Sequence, residues 1–228
     1  MIFRQLQDPA SCTYTYVLGD ESASLAVIVD PVREQAGRDL RLLSRLGLKL
    51  AYILETHVHA DHVTGANALK TATGAQTGVS LHCGASGFDR LLDDGMVIDF
   101  GKESLTVIAT PGHTPGSSCF LWRDRLLTGD TLLIGGCGRT DFQQGDAGTL
   151  YDSITQRLFT LPDDTLVYPG HDYKGRYVST IREERLGNPR LAGKSRDEFI
   201  EIMQHLELPA PARMHEAVPA NLRGGMDG

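Results

Sequence analysis

Thr56-His57-Val58-His59-Ala60-Asp61-His62 sets three imidazoles and a carboxylate directly behind the apolar run 50–54. That run reads as a buried strand, so the cluster starts where a strand leaves its hydrogen-bonded ladder. His57 and His59 are two apart and can point the same way from extended chain. Asp61 and His62 are adjacent and aim elsewhere, toward a second metal position or toward groups that orient the first. Imidazole nitrogen and carboxylate oxygen together suit zinc or iron. A solvated loop has no need of so many histidines.

Three further motifs share this placement. Thr110-Pro111-Gly112-His113-Thr114-Pro115-Gly116 holds a histidine in a loop stiffened by two prolines, with glycines that permit close backbone approach. Leu127-Thr128-Gly129-Asp130 puts a carboxylate just after a strand, and Pro169-Gly170-His171-Asp172 repeats the pattern. Each motif alone would be a turn. With the first cluster they supply five histidines and two aspartates at the ends of apolar strands, and a metal site follows. His82, His205 and His215 have no such neighbourhood and read as surface residues; Asp30, before Pro31, reads as a turn residue.

Bulk properties narrow the function classes. The chain has 228 residues and a net charge of −7, which argues against a surface that neutralises nucleic-acid phosphates. No apolar run approaches the roughly 20 residues needed to cross a bilayer, and residues 1–5 lack a signal-peptide core. Cys12, Cys83, Cys119 and Cys137 form no Cys-x-x-Cys pair, so free thiols in a reducing cytoplasm are expected. The first three read as small buried hydrophobes. Cys137, in Gly135-Gly136-Cys137-Gly138, is open to a further role.

Strands are expected over 13–18, 24–29, 50–55, 104–109, 118–122, 125–128 and 166–168. Helices are expected over 34–46, ending at Gly47, near 64–72, and over 149–161 with Leu150, Ile154, Leu158 and Leu161 as the apolar stripe. Each half runs from strands through an amphipathic helix to a strand ending in a histidine, which favours two sheet-plus-helix layers packed face to face. In the tail, Ser195-Arg196-Asp197-Glu198 is a capping box with Phe199, Ile202 and Leu206 behind it at helical spacing. The apolar face over 199–206 could serve a homodimer interface. Pro209 and Pro211 are expected to end that helix, and the remainder to wrap the fold.

The ordered set His-x-His-x-Asp-His, Pro-Gly-His-Thr-Pro-Gly, Thr-Gly-Asp and Pro-Gly-His-Asp resembles the metallo-β-lactamase superfamily. The resemblance implies an α/β fold, an αββα sandwich of two mixed β-sheets flanked by helices. A single such domain is expected over 1–228, with 186–228 a short helical, wrapping tail. Within the superfamily, Cys12-Thr13-Tyr14-Thr15-Tyr16, Cys137-Gly138-Arg139-Thr140-Asp141-Phe142-Gln143, His171-Asp172-Tyr173 and Asn188-Pro189-Arg190-Leu191 resemble the persulfide dioxygenases. That family oxidises glutathione persulfide with O2 and water to sulfite and glutathione, using one Fe(II) per chain.

The resemblance implies His57, His113 and Asp130 as iron ligands, a two-histidine, one-carboxylate set with open positions. It implies His59, Asp61, His62 and His171 as groups that orient ligands and bond water without holding a metal. Glutathione carries two carboxylates, so Arg139, Tyr173 and Arg176 are the candidate substrate contacts. The rival is a glyoxalase II-type hydrolase of S-lactoylglutathione, which would use the same positions for two metals. The short tail, with one clear amphipathic helix, speaks against it. Neither a nucleic-acid nor a membrane partner is expected.

Overall fold

Tyr14–Asp20 is buried along its whole length in the computed structural model, which describes residues 1–211 and 213–226. Alternation explains how one strand (β2) serves two layers. Tyr14, Tyr16 and Leu18 face one core, while Val17 faces another on the opposite side. The strand sits inside a sheet of six, in the order β1 (Ile2–Gln7), β2, β3 (Leu25–Val29), β4 (Lys49–Leu54), β5 (Gln76–Ser80), β6 (Arg90–Leu92). The first three pair antiparallel, and β3 through β6 run parallel.

A second six-stranded sheet has the order β12 (Ser179–Thr180), β11 (Leu166–Pro169), β10 (Arg125–Gly129), β9 (Ser118–Trp122), β8 (Glu103–Ala109), β7 (Val97–Phe100). It too is mixed, because β10 and β11 are parallel and its other pairs antiparallel. Three cores then define four layers. Between the sheets lie Tyr14, Tyr16, Leu54, Phe100, Phe120, Trp122 and Leu127. Outside the first sheet, α1 (Ala36–Leu46) and α2 (Ala66–Thr73) cover Val17, Ile28 and Ile53. Outside the second, α3 (Ala147–Ser153), α4 (Ile181–Gly187) and α5 (Arg196–Gln204) cover Cys119, Leu126 and Val167. The αββα sandwich expected from the motifs is the observed fold.

Helix α1 ends as its sequence dictates. Gly47 takes a left-handed φ of 66°, and its N–H returns to the Leu43 and Ser44 carbonyls. The stripe expected over 149–161 is present but not as one α-helix: α3 passes into a wider π turn over Ile154–Leu158, which keeps Leu150, Ile154 and Leu158 fully buried.

The tail corrects two expectations. The capping box at Ser195 and Glu198 forms, but Phe199 is fully buried and Met203 nearly so, against α3. That face packs largely inside its own chain, with Ile202 and Leu206 left half-buried, which removes much of the apolar surface expected for an interface. The remainder is more than a wrap: a further helix, α6 (Met214–Asn221), docks Ala217 and Ala220 on Val63 beside the histidine loop. Among the described residues, no helix is long and apolar enough to cross a membrane.

Candidate metal centre

The four sequence motifs converge at one edge of the sandwich. His57–His62 follows β4, His113 lies in the β8–β9 turn, Asp130 follows β10 and His171 follows β11. Main-chain bonds between elements hold this edge together: Ser118 N–H to Thr56 O at 2.8 Å, Tyr14 N–H to Gly170 O at 2.8 Å and Gly170 N–H to Gly129 O at 2.7 Å. The approach is close enough to require glycine. A Cβ on Gly129, at φ 48°, would lie 2.5 Å from Thr56 Oγ1, and one on Gly170 would lie 2.7 Å from Asp130 Oδ1.

His57, His113 and Asp130 bring one ligand atom each to within 4.8 Å of one another. Their hydrogen bonds determine which atoms those are. Thr56 Oγ1 donates its proton to Asp30 Oδ2 at 2.8 Å, so it can only accept from His57 Nδ1 at 3.0 Å. His113 Nδ1 donates to the Arg139 carbonyl at 2.7 Å. Both rings thus carry their proton on Nδ1 and turn Nε2 inward. His113 Nε2 lies 3.7 Å from Asp130 Oδ2, close to the about 3–3.5 Å edge of a coordination shell with bonds of about 2.0–2.2 Å. Burial, then the nearby His59 and His113, push His57 well below the usual histidine range, which keeps its lone pair free at neutral pH. A divalent cation fits this donor set, since two imidazole lone pairs and a carboxylate oxygen converge on one point.

His171 braces the set from behind. Its Nδ1 bonds Asp130 Oδ1 at 2.7 Å and its Nε2 bonds Asp61 Oδ2 at 3.0 Å. Burial works against its charge, but the two carboxylates outweigh it and hold the ring well above the usual histidine range. Asp130 is correspondingly held far below the carboxylate range: burial opposes its charge, but His171, then His113 and His57, prevail.

The neighbouring residues form a second group. Ligand atoms of His59, Asp61 and His62 also lie within 4.8 Å of one another. His59, however, turns its Nε2 to the buried pair Asp30 and Glu55, at 3.1 and 3.4 Å. Burial opposes charge on His59, but Asp30 and Glu55 together raise it well above the histidine range, and burial pushes Glu55 up to about 7. Thr13 Oγ1 lies 3.0 Å from Asp61 Oδ2, 3.3 Å from His62 Nδ1 and 3.1 Å from His171 Nε2. His62 Nε2 and His59 Nδ1 are buried without a hydrogen-bond partner, and His59 Nε2 faces its two carboxylates by proximity rather than through an aligned hydrogen bond.

Three of these contributors are absent from the sequence reading. Asp30, taken there for a turn residue, is buried, and its carboxylate anchors the Thr56 N–H at 2.7 Å as well as the Thr56 hydroxyl. Glu55 carries no motif signal of its own, and Thr13 lies in the Cys12–Tyr16 stretch without a signal that marks it as a contact of the histidines. His82, His205 and His215 are exposed, as expected.

The candidate substrate contacts are engaged within the chain. The Arg139 guanidinium pairs with both Asp141 oxygens at 2.7 Å and reaches the Pro209 and Leu208 carbonyls. Arg176 pairs with Asp172 at 3.0 Å and bonds the Ile134 carbonyl. Tyr173 is 73 % exposed and stacks parallel to His171 with ring centroids 6.1 Å apart. Cys137 is a core residue, its thiol 3.7 Å from Met203 Sδ and pushed up by burial. Cys119 is likewise buried, whereas Cys12 and Cys83 are only half-buried, contrary to expectation. All four thiols are free.

Residues 11–171 match the model of the metallo-beta-lactamase superfamily. Over 99% of this chain and 89% of its relative, the sequence is 50% identical to the mitochondrial persulfide dioxygenase ETHE1 of Homo sapiens. The chain belongs to the persulfide dioxygenase family of the metallo-β-lactamase superfamily. The crystal structure of ETHE1 from Myxococcus xanthus superposes with a TM-score of 0.97 at 54% identity, covering 99% of this chain and all of that one. The solved protein TTHA1623, in a di-iron-bound form, matches with a TM-score of 0.70 at 27% identity over 84% of this chain.

Proposed function

We propose that this persulfide dioxygenase family member oxidises glutathione persulfide with O2 and water to sulfite and glutathione, using one Fe(II) held by His57, His113 and Asp130. The observation that carries the proposal is the inward convergence of two Nδ1-protonated imidazoles and one carboxylate oxygen, with His59 turned away onto Asp30 and Glu55. Three protein ligands leave positions for both a sulfur anion and O2. Iron is further supported by the di-iron-bound relative.

Bound there, Fe(II) supplies the one-electron exchange that lets O2 react with a sulfur anion. The chain's own residues supply geometry and charge. Thr56 and the Arg139 carbonyl fix the tautomers of His57 and His113. His171 holds Asp130 by one oxygen and leaves the other facing inward. His59, Asp61 and His62 serve beside it as supporting groups, with Asp61 accepting from His171 and Thr13. Tyr173, exposed over His171, is the group best placed to meet substrate. Arg139 and Arg176 are the cationic candidates for the glutathione carboxylates, each guanidinium steadied by its own pairing with Asp141 or Asp172. Free cysteines suit a reducing compartment such as the cytoplasm, although the human relative is named mitochondrial.

One observation favours a second reading. The unpartnered, buried His62 Nε2 and the proximity of His59, Asp61 and His62 would suit a second metal, as in a glyoxalase II-type hydrolase of S-lactoylglutathione. Metal content decides between them. One iron per chain with no hydrolysis of S-lactoylglutathione supports the dioxygenase, and two metals with rapid hydrolysis support the alternative.

A further inference from the structure

We infer that Asn221, the last residue of α6, is a positioning residue for the metal loop: its side-chain amide sets the shape of residues 59–64 from the far end of the chain. The inference rests on the proposed metal site and adds a residue to it.

The loop after β4 lies outside any sheet ladder, so its buried main-chain groups need partners from elsewhere. Two anchors come from nearby elements: Arg33 N–H to Val63 O at 2.9 Å, and Gln143 Nε2 to Val58 O at 2.8 Å. Asn221 supplies three more bonds. Its Nδ2 donates to His59 O at 2.9 Å and to His62 O at 2.8 Å, and its Oδ1 accepts the Thr64 N–H at 2.8 Å. A carboxamide has two N–H groups in a rigid fork, so bonding both carbonyls at once fixes the width of the turn from 59 to 62. That turn decides where the His59 and His62 rings go. His59 is sent toward Asp30 and Glu55, and His62 toward Thr13 and Asp61.

The amide is itself held rigidly. Asn221 is 2 % exposed, and Ala217 and Ala220 of the same helix pack on Val63 within the loop. Alanines allow the helix to sit close. Past the helix, Ser86 N–H bonds the Leu222 carbonyl at 2.8 Å, and a Cβ on Gly225 would lie 2.6 Å from Thr64 O. The helix therefore docks on both sides of the amide, and Asn221 cannot follow a loop that shifts. Removing it strands two carbonyls and one N–H in a site closed to water.

Cobalt(II) titration of the metal-free chain, followed by visible absorption, tests the inference. Asn221→Ala is expected to weaken cobalt binding about 10–100-fold and to alter the ligand-field bands, because a shifted loop takes Asp61 from His171, the brace of Asp130, and His59 from Asp30, the anchor of Thr56 and His57. Arg213→Ala serves as the control, because at the start of α6 it breaks surface pairs with Glu34 and with Glu216 of the helix without touching the loop. It should bind cobalt like the wild type even if it melts earlier. Should Asn221→Ala fail to fold, Asn221→Asp keeps the shape and the acceptor for Thr64 but has no N–H to give, and should show the same loss. Wild-type affinity and bands in the Asn221 variant, or a loss equal to that of Arg213→Ala, overturn the inference alone. A wild-type chain that binds no cobalt overturns the metal site with it.

Discussion

Asp130 accepts a hydrogen bond from His171 Nδ1 at 2.7 Å on one carboxylate oxygen and turns the other toward His113 Nε2 at 3.7 Å. One residue thus divides its two oxygens between support and coordination, and His171 is what makes the division. His171→Ala should lower iron affinity about 10–100-fold, the usual cost of losing a group that orients a ligand. Equilibrium dialysis checks this, and unchanged affinity would mean that Asp130 needs no brace.

Asp30 is the hidden foundation of the His57 tautomer, through Thr56. Asp30→Ala strands the buried Thr56 N–H and should cost about 1–3 kcal/mol for that group. Urea unfolding measures the loss. Iron affinity should fall as well, since the Thr56 hydroxyl would be free to reorient.

Phe120 lies fully buried between the sheets, beside Trp122 and Leu127. Phe120→Ala should destabilise the chain by about 3–5 kcal/mol, because the two sheets cannot collapse into the space it leaves. A loss well below that range would show the inter-sheet core to be loosely packed.

Asp20 ties the end of β2 to the β7–β8 turn, accepting the Lys102 N–H at 2.7 Å and the Ser22 N–H at 2.8 Å. The Lys102 backbone bond, with those from Ser22, lowers its carboxyl from 3.8 to about 2. A depressed carboxyl stabilises the fold above its unfolded value and loses that contribution as pH falls through its folded one. Asp20→Asn should therefore unfold at lower urea than wild type at pH 7, and the two curves should converge as pH falls from 3.8 through about 2. A gap that persists at the acid end would assign the effect to something other than charge.

Much of this was legible in the sequence because each ligand candidate sits where an apolar run stops. His57, His113, Asp130 and His171 could be placed at strand ends one motif at a time, and two layered sheets bring those ends together. The rest depends on contacts between distant residues. Thr13 meets Asp61 and His171, Asp30 meets Thr56 and His59, and Asn221 meets His59, with no local pattern to announce any of them. Strands β5 and β6 were missed for a different reason. Gln76–Ser80 has little apolar alternation and Arg90–Leu92 is only three residues long, so the sheet recruits them by pairing rather than by propensity. Charge alone did not show how Arg139 is held: Asp141, two residues on, pairs with its guanidinium through both carboxylate oxygens.

Oxygen uptake by the iron-loaded chain, with glutathione persulfide as substrate and iron counted per chain, tests the central claim most directly. The expected result is one iron per chain and O2 consumption that yields sulfite, both lost in His113→Ala. Two metals per chain, with no O2 consumed and S-lactoylglutathione hydrolysed instead, would contradict it.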